Sequence, residues 1–455
     1  MKRIRIPRLL PGLVAAVGVA LITPTGESRA SGISLIHDTE IENTIRLFAT
    51  PLFEAAGLEA ADIRIHIVKD ASLNAFVAGG QRLFINTGLL MKTEHAGQII
   101  GVIAHETGHI AGGHLLRLQE KLRNSTAQTI LTYVLGGVAA VASGNPGAAA
   151  AVIAGGATIQ QRTLLSYTRT MEQAADQAAI DFLEETGKSS VGLLEFLGTL
   201  SSQEFLTSDN QDPYIRSHPL TRDRMEFLRN IIKNSQFSDT PIADDLKRAH
   251  DRMRAKLKGF LNPTGRTLRE FKSTDQRVPA RYARAIAFKE SNQVEKALAL
   301  IDGLIAQFPE DPFFHELKGD ILQDAGRAAD SIPPYRTAVE ILPWAALIRT
   351  NLAQSLLELN DLDASREALD NLLKAVRYEP ESAIIWRLMA KAYSNEDDQA
   401  NVMLSLAEAA LLSGKRDVAR YRATRALTLL PAGSAGWLRA QDIQNASVKH
   451  ENEGG

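Results

Sequence analysis

Hydrophobic and polar residues follow two different periods in the N-terminal half of the chain. Apolar residues recur at helical spacing over Glu40–Leu58, and they alternate with period two over Ile63–Ile67 and over Arg82–Asn86. A later apolar run predicts one helix over about Glu94–Leu118. The pattern therefore predicts a mainly helical unit with a small β-sheet.

The C-terminal part of the chain repeats with a period of 34 residues. Small residues recur at equivalent positions, and each unit ends in proline. A period of 34 with small residues where helices cross is typical of the tetratricopeptide repeat, an α-solenoid. The repeated positions are Ala285, Asn292 and Pro309, then Gly319, Gly326 and Pro343, with later units ending at Pro380 and Pro431.

The first 30 residues have the pattern of a secretory signal peptide. Basic residues precede the apolar run Leu9–Ile22, and Ser28 and Ala30 are small residues at the two positions that signal peptidase recognises. The run is shorter than the roughly 20 residues that span a bilayer. We therefore expect cleavage after Ala30 and not a membrane anchor.

An uncharged stretch interrupts the N-terminal unit. Residues 124–161 contain no charged side chain, and residues 127–160 form two apolar runs that are separated by a Gly/Pro turn. Two interpretations stay open. The runs are either small-residue helices buried in the core, or a hydrophobic hairpin that contacts a membrane or plugs a cleft.

Composition narrows the chemistry. The chain has 455 residues, of which 45% are hydrophobic and 23% charged, and its formal net charge of -2 gives no electrostatic reason to expect a nucleic-acid partner. Cysteine is absent, which excludes disulfides, a cysteine nucleophile and thiolate metal sites. Any transition metal must therefore be held by His, Asp or Glu.

One short motif has the residues of a metal centre. His105, Glu106 and His109 form the pattern HExxH after an apolar run. On a helix the two histidines are one turn apart and project from the same face, so both can reach one Zn2+ ion. Glu106 lies beside them, where a carboxylate can take a proton from an attacking water. The motif alone also fits a surface helix with two ordinary histidines.

A catalytic zinc ion also needs a third protein ligand. His114 lies five residues after His109, whereas the metzincin pattern requires six, so we interpret His114 as a local polar residue. Glu172 and Asp176 are one helical turn apart, between apolar and small residues. We predict that Glu172 is the third ligand and that Asp176 accepts a hydrogen bond from the ring of His105.

The segment Ser217-His218-Pro219, followed by Arg224, is a further candidate for the site. A His-Pro junction is extended and rigid, so it could present His218 to the cleft. His218 then either stabilises the tetrahedral oxyanion or takes the fourth zinc position and keeps the enzyme latent. Alternatively, it only caps the helix that begins near Thr221. Arg224 either stabilises the oxyanion or anchors the loop through a carboxylate.

In combination these motifs resemble the gluzincin peptidases of the Ste24/HtpX/Oma1 family. The signal peptide in front and the repeats behind are similar to its periplasmic BepA-type branch, and the resemblance covers essentially the whole mature chain. The residues that carry it are His105-Glu106 with His109, Glu172 to Asp176, His218-Pro219 with Arg224, and Asn74-Ala75-Phe76 ahead of Phe84-Ile85-Asn86.

The resemblance implies a periplasmic zinc endopeptidase that is also a chaperone. Such proteins assist the assembly of outer-membrane β-barrel proteins and degrade those that stall, so the implied partners are those clients and their assembly machinery. The resemblance implies one Zn2+ ion held by His105, His109 and Glu172, with Glu106 as the general base and Asp176 behind the ligands. A regulatory contact of His218 with the metal is also implied.

We therefore expect a mainly α protein: a gluzincin-type metalloprotease domain with a small sheet, followed by a tetratricopeptide α-solenoid. The expected parts are the signal peptide (1–30), the protease domain (31–234), a connecting helix and linker (235–278) and the repeats (279–455). A substrate would bind extended along a strand edge of the sheet. The alternative function is a latent or non-proteolytic chaperone that binds clients through its repeats.

Overall fold

The computed structural model describes residues 34–79, 81–123, 159–201 and 213–448. The signal peptide predicted over 1–30 and most of the uncharged stretch over 127–160 lie outside these ranges. Within them, no helix is both long enough and apolar enough to cross a membrane.

A mixed sheet of four strands forms in the described part of the N-terminal domain. The parallel pair β2–β4 lies at its centre, and antiparallel pairs β1–β2 and β3–β4 flank it, in the order β1-β2-β4-β3. β3 is therefore an edge, and no described strand pairs with its outer side. The strands are β1 (Leu35–Ile36), β2 (Arg64–Val68), β3 (Ala75–Ala78) and β4 (Arg82–Asn86).

The two segments of period two are confirmed as β2 and β4. The sequence pattern did not predict β1 and β3, because strands of two and four residues are too short to show an alternation. β3 nevertheless matters most for function, since it borders the cleft described below.

Helices pack around the sheet and around one central helix, α3, nearly all of whose residues are buried. The core joins α3 to the sheet and to α1, α5, α6 and α8. These helices are α1 (Thr39–Ala55), α2 (Thr87–Lys92), α3 (Ala96–Ala111), α4 (His114–Arg123), α5 (Ile159–Glu185), α6 (Val191–Leu200), α7 (Pro213–Ser217) and α8 (Arg222–Asn234).

The prediction of a single helix over Glu94–Leu118 is wrong. α3 ends at Ala111, and Gly113 adopts a positive φ of 57°. Only glycine takes this left-handed conformation without a steric cost, and it is a common way to end a helix. The chain therefore changes direction before α4, which lies beside the cleft.

The C-terminal part is a solenoid of antiparallel helices, as the repeat pattern predicts. The turns inside the first three pairs place Asn292, Gly326 and Asn360 at positive φ, 34 residues apart. The third unit, which ends at Pro380, is longer than the period of 34, and its extra residues lie in its second helix, which has 17 residues instead of 14. The solenoid helices are α11 (Val278–Glu290), α12 (Val294–Gln307), α13 (Pro312–Asp324), α14 (Ala328–Ile341), α15 (Ala346–Glu358), α16 (Leu362–Tyr378), α17 (Ala383–Asn395), α18 (Gln399–Leu412), α19 (Arg416–Leu429) and α20 (Ala435–Val448). Before them, α9 (Asp244–Leu261) and α10 (Thr264–Glu270) lie in the segment that was predicted as the connecting helix and linker.

A buried group of charges joins the protease domain to the solenoid. Lys256 Nζ lies 2.8 Å from Asp38 Oδ2 and 3.1 Å from Glu40 Oε2, and the Tyr282 hydroxyl donates to Glu40 Oε2 at 2.8 Å. Burial would raise the pKa of Glu40, but Arg252 and Lys256 outweigh burial and hold that pKa below its ordinary value. Because Asp38 caps α1, Glu40 lies on α1, and the other residues come from α9 and α11, the group fixes the solenoid against the protease domain.

Removing Lys256 should destabilise the protein strongly. The variant Lys256→Met leaves the buried Glu40 and the partly buried Asp38 without their shared cation, so we expect the free energy of unfolding to fall by about 3 kcal/mol. Urea unfolding followed by circular dichroism measures this change. The control is Lys247→Met on the same helix, where an exposed pair with Asp244 contributes less than about 1 kcal/mol. Equal losses in the two variants would contradict a stabilising role for the buried group.

Candidate metal centre

The two helices that carry the predicted ligands cross at a glycine. His105 and His109 lie on α3, and Glu172 lies on α5. A Cβ atom at Gly108 would be 2.9 Å from the carbonyl oxygen of Ala175 on α5. The backbones can approach this closely only because residue 108 has no side chain. The crossing brings the histidines of one helix against the carboxylate of the other.

Three side chains converge at this crossing. The Nε2 atoms of His105 and His109 are 3.1 Å apart. The first lies 3.3 Å from Glu172 Oε2, and the second lies 3.3 Å from Glu172 Oε1. All three residues are buried. The structure therefore brings together the three residues that the sequence predicted as metal ligands.

His218 lies in the same cluster. Its Nδ1 is 3.2 Å from both carboxylate oxygens of Glu172 and 3.3 Å from His105 Nε2. One potential ligand atom from each of these residues and His109 lies within 4.8 Å of the others, so the four residues could hold a metal ion. His218 does not cap the following helix, since the cap of α8 is the side chain of Thr221.

Glu106 is buried beside the cluster, and its carboxylate has no hydrogen-bond partner among the described residues. Its Oε1 lies 3.4 Å from His218 Nε2. Burial raises the pKa of Glu106 to about 7. A buried carboxyl group with a pKa near neutrality can both accept and release a proton at physiological pH.

A buried arginine holds Asp176 in place behind the histidines of the cluster. Arg224 donates to Asp176 through Nε at 2.7 Å and through Nη2 at 2.8 Å, and it donates to the Pro219 carbonyl at 3.0 Å. Asp176 Oδ1 in turn lies 2.9 Å from His105 Nδ1. Arg224 does not line the cleft. Of the two roles considered for Arg224, these contacts favour anchoring over oxyanion stabilisation.

The buried charges shift each other's pKa. Burial would raise the pKa of Glu172, but His218, His109 and His105 outweigh burial and hold it well below its ordinary value. Burial likewise opposes a charge on His105, yet Asp176 and Glu172 raise its pKa to about 9. The carboxylates of Glu172 and Asp176 thus favour positive charge at this point, and a bound divalent cation would supply it.

Two further residues contact the cluster, and the sequence did not reveal either role. His114 Nδ1 lies 3.0 Å from Nδ1 of His109, so it can fix the tautomer that leaves His109 Nε2 free to bind a metal. Tyr214 stacks on the ring of His218 with centroids 4.5 Å apart. One available signal for His114 was its position five residues after His109, because the bend between α3 and α4 lies between the two histidines.

A cleft that is partly open to solvent borders the cluster. Glu106, His109, Glu172 and His218 line one side of it, and residues 76–78 of the edge strand β3 line another. Two imidazoles and a carboxylate at the end of a cleft, with a free buried carboxyl group beside them, fit a catalytic metal site.

Comparison with known families agrees with this chemistry. Residues 37–232 match the family described as Peptidase family M48, and residues 282–345 and 350–400 match a tetratricopeptide repeat family. The chain has an M48 peptidase domain. The predicted resemblance and the fold class, a metalloprotease domain followed by tetratricopeptide repeats, are therefore confirmed.

Similar proteins extend the match over most of the chain. The Beta-barrel assembly-enhancing protease of Yersinia pestis is 24% identical over 412 residues, which are 90% of this chain and 82% of that protein. The protein of the same name from Escherichia coli strain K12 is 24% identical, over 88% of this chain and 80% of its own length. Metalloprotease YcaL of that strain is 27% identical over 38% of this chain and 63% of its own. The chain is therefore a metalloprotease of the M48 type.

Adding one methyl group at position 108, where α3 and α5 of this M48 domain cross, should destabilise the protein. We expect Gly108→Ala to push the helices apart and to lower the free energy of unfolding by about 1–3 kcal/mol. The unfolding is measured by urea titration with a chelator present, so that metal binding does not contribute.

The matched control is Gly198→Ala on α6. No described atom lies within 4 Å of a Cβ built there, so alanine should stabilise that helix by up to about 1 kcal/mol. Unchanged stability in Gly108→Ala would mean that this glycine does not set the distance between α3 and α5.

Proposed function

We propose that the chain is a periplasmic zinc endopeptidase that acts in the assembly and quality control of outer-membrane β-barrel proteins. The observation that carries the proposal is the convergence of His105, His109 and Glu172 beside the unpaired carboxyl group of Glu106. The names of the relatives support the client class. The signal peptide pattern supports the periplasm.

In this proposal His105, His109 and Glu172 hold one zinc ion. Two imidazoles and one carboxylate suit zinc, and cysteine ligands do not occur in this sequence. When bound, zinc supplies positive charge that polarises the scissile carbonyl group and acidifies water. Asp176, itself held by Arg224, orients the ring of His105.

Glu106 is the general base of the proposed reaction. It takes the proton of the attacking water and then delivers that proton to the amine that leaves. Its burial beside the cluster, with a pKa near 7, suits both steps. A group whose pKa is close to the working pH exchanges protons in both directions at little cost.

The edge strand β3 binds the substrate backbone. Its outer side pairs with no described strand, and residues 76–78 line the cleft next to the cluster. An extended peptide can therefore add to the sheet through main-chain hydrogen bonds, with its scissile bond at the metal. This mode requires an unfolded segment, as a stalled β-barrel protein would offer.

His218 would act as a further ligand of the metal ion and so keep the enzyme latent. Its Nδ1 lies as close to Glu172 as the two other imidazoles do. Its backbone N–H donates to the Tyr214 carbonyl at 2.7 Å, and its ring stacks on Tyr214. Displacement of this loop by a client would open the position. The solenoid, which is joined to the protease domain by the buried charges, binds the client or the assembly machinery.

The variant Glu106→Gln tests the catalytic assignment. We expect cleavage of casein to fall at least about 100-fold, because the amide cannot take the proton, while the zinc content stays unchanged. Both quantities are measured on the purified mature chain. Glu54→Gln, at the exposed end of α1, serves as the control and should cleave like the parent. Parent-like cleavage by Glu106→Gln would refute the assignment.

The variant His218→Ala tests latency. If the imidazole occupies the fourth position, its removal should raise the cleavage rate roughly tenfold, since the competent state becomes populated. The control is His95→Ala, because His95 pairs with Glu195 and does not line the cleft. A rate that falls would favour the oxyanion role for His218, and an unchanged rate would exclude both roles.

A further inference from the structure

Apolar side chains from three elements line the cleft together with the proposed zinc ligands His109 and Glu172. Phe76 and Val77 come from the edge strand, Leu115 and Leu118 from α4, and Met171 from the turn of α5 that precedes Glu172. Leu118 and Met171 are almost fully buried. Side chains from three separate elements thus enclose one apolar space next to the cluster.

The bend at Gly113 determines which side chains of α4 line the cleft. It turns α4 so that Leu115 and Leu118, three residues apart, lie on one face of the helix and line the cleft. Leu116 lies on the opposite face and is 63% exposed. The orientation of α4 therefore selects which leucines contact a ligand in the cleft.

The described lining offers a charged substrate side chain no free partner. Its ionisable groups all belong to the cluster or contact it, and they are Glu106, His109, His114, Glu172 and His218. Glu172 already interacts with Arg224 and the histidines. A charged side chain that entered the apolar space would lose its water without gaining an ion pair. An apolar side chain that entered the space would bind with a favourable free energy, because its surface would leave water.

We infer that this apolar space is the specificity pocket of the enzyme, and that it accepts a leucine, methionine or phenylalanine side chain directly next to the scissile bond. This inference rests on the proposed function. Strands of β-barrel proteins alternate apolar and polar residues, so an unfolded client would present such side chains at every second position. The pocket thereby selects the cleavage site within a client, while the strand edge binds its backbone.

The test compares cleavage-site profiles of a peptide library by mass spectrometry. The library is digested by the mature chain and by its His218→Ala variant, so that latency does not limit the number of sites. We expect leucine, methionine and phenylalanine to be favoured over lysine and aspartate by about 10- to 100-fold at one position next to the scissile bond. A profile without such a preference would overturn the inference.

Two neighbouring substitutions in α4 make the test specific. Leu115→Glu should reduce the apolar preference about tenfold and increase cleavage next to lysine and arginine, whereas Leu116→Glu, with the same charge on the opposite face, should keep the parent profile. Leu115→Phe retains an apolar pocket but narrows it, and it should shift the preference towards smaller apolar side chains. A parent-like profile in both Leu115 variants would overturn the inference.

A digestion with Glu106→Gln separates the two proposals. Cleavage that persists in this variant contradicts the proposed catalytic site. Cleavage that is lost in this variant, together with a parent profile that lacks any apolar preference, leaves the catalytic site standing and overturns only the pocket.

Discussion

The close crossing of α3 and α5 at Gly108 is the constraint on which the rest of the site depends. The ligands belong to two helices that are distant in sequence, and a Cβ at this position would contact backbone atoms of α5. Because both helices are buried in the same core, their separation is set by packing and not by the metal. Packing thus fixes the relative positions of the ligands, and a site whose ligands are held in place binds an ion at lower cost.

The buried carboxylates of the site carry a large free-energy cost of desolvation, which nearby positive charges must offset. Glu172, Asp176 and Glu106 lie within one small region, and two of these carboxylates are stabilised by Arg224 and the histidines. Glu106 is the exception, and burial accordingly raises its pKa. Its carboxylate has no hydrogen-bond partner among the described residues, which departs from the rule that buried polar groups are paired, and such departures concentrate where chemistry occurs. Buried carboxylates are also compensated by cations in the group around Lys256. That group does not form a metal site but fixes the solenoid against the protease domain.

The sequence predicted those features that depend on local spacing. Residues one helical turn apart must share a face, so spacing alone pairs His105 with His109 and Glu172 with Asp176. Tertiary contacts could not be predicted in this way. The crossing of Gly108 against Ala175 and the buried group around Lys256 depend on how segments that are distant in sequence pack. The bend at Gly113 and the short strand β3 are local features that the apolar periodicity does not show. The resemblance to a peptidase family predicted the architecture as a whole, but not these contacts.

The central claim is that the buried cluster holds one zinc ion through His105, His109 and Glu172. Elemental analysis of the purified mature chain after dialysis tests it most directly, with a variant that replaces both histidines by alanine measured beside it. The account predicts about one zinc ion per chain in the parent and almost none in the variant, with both proteins folded. A parent without stoichiometric zinc, or a variant that retains it, would contradict the account.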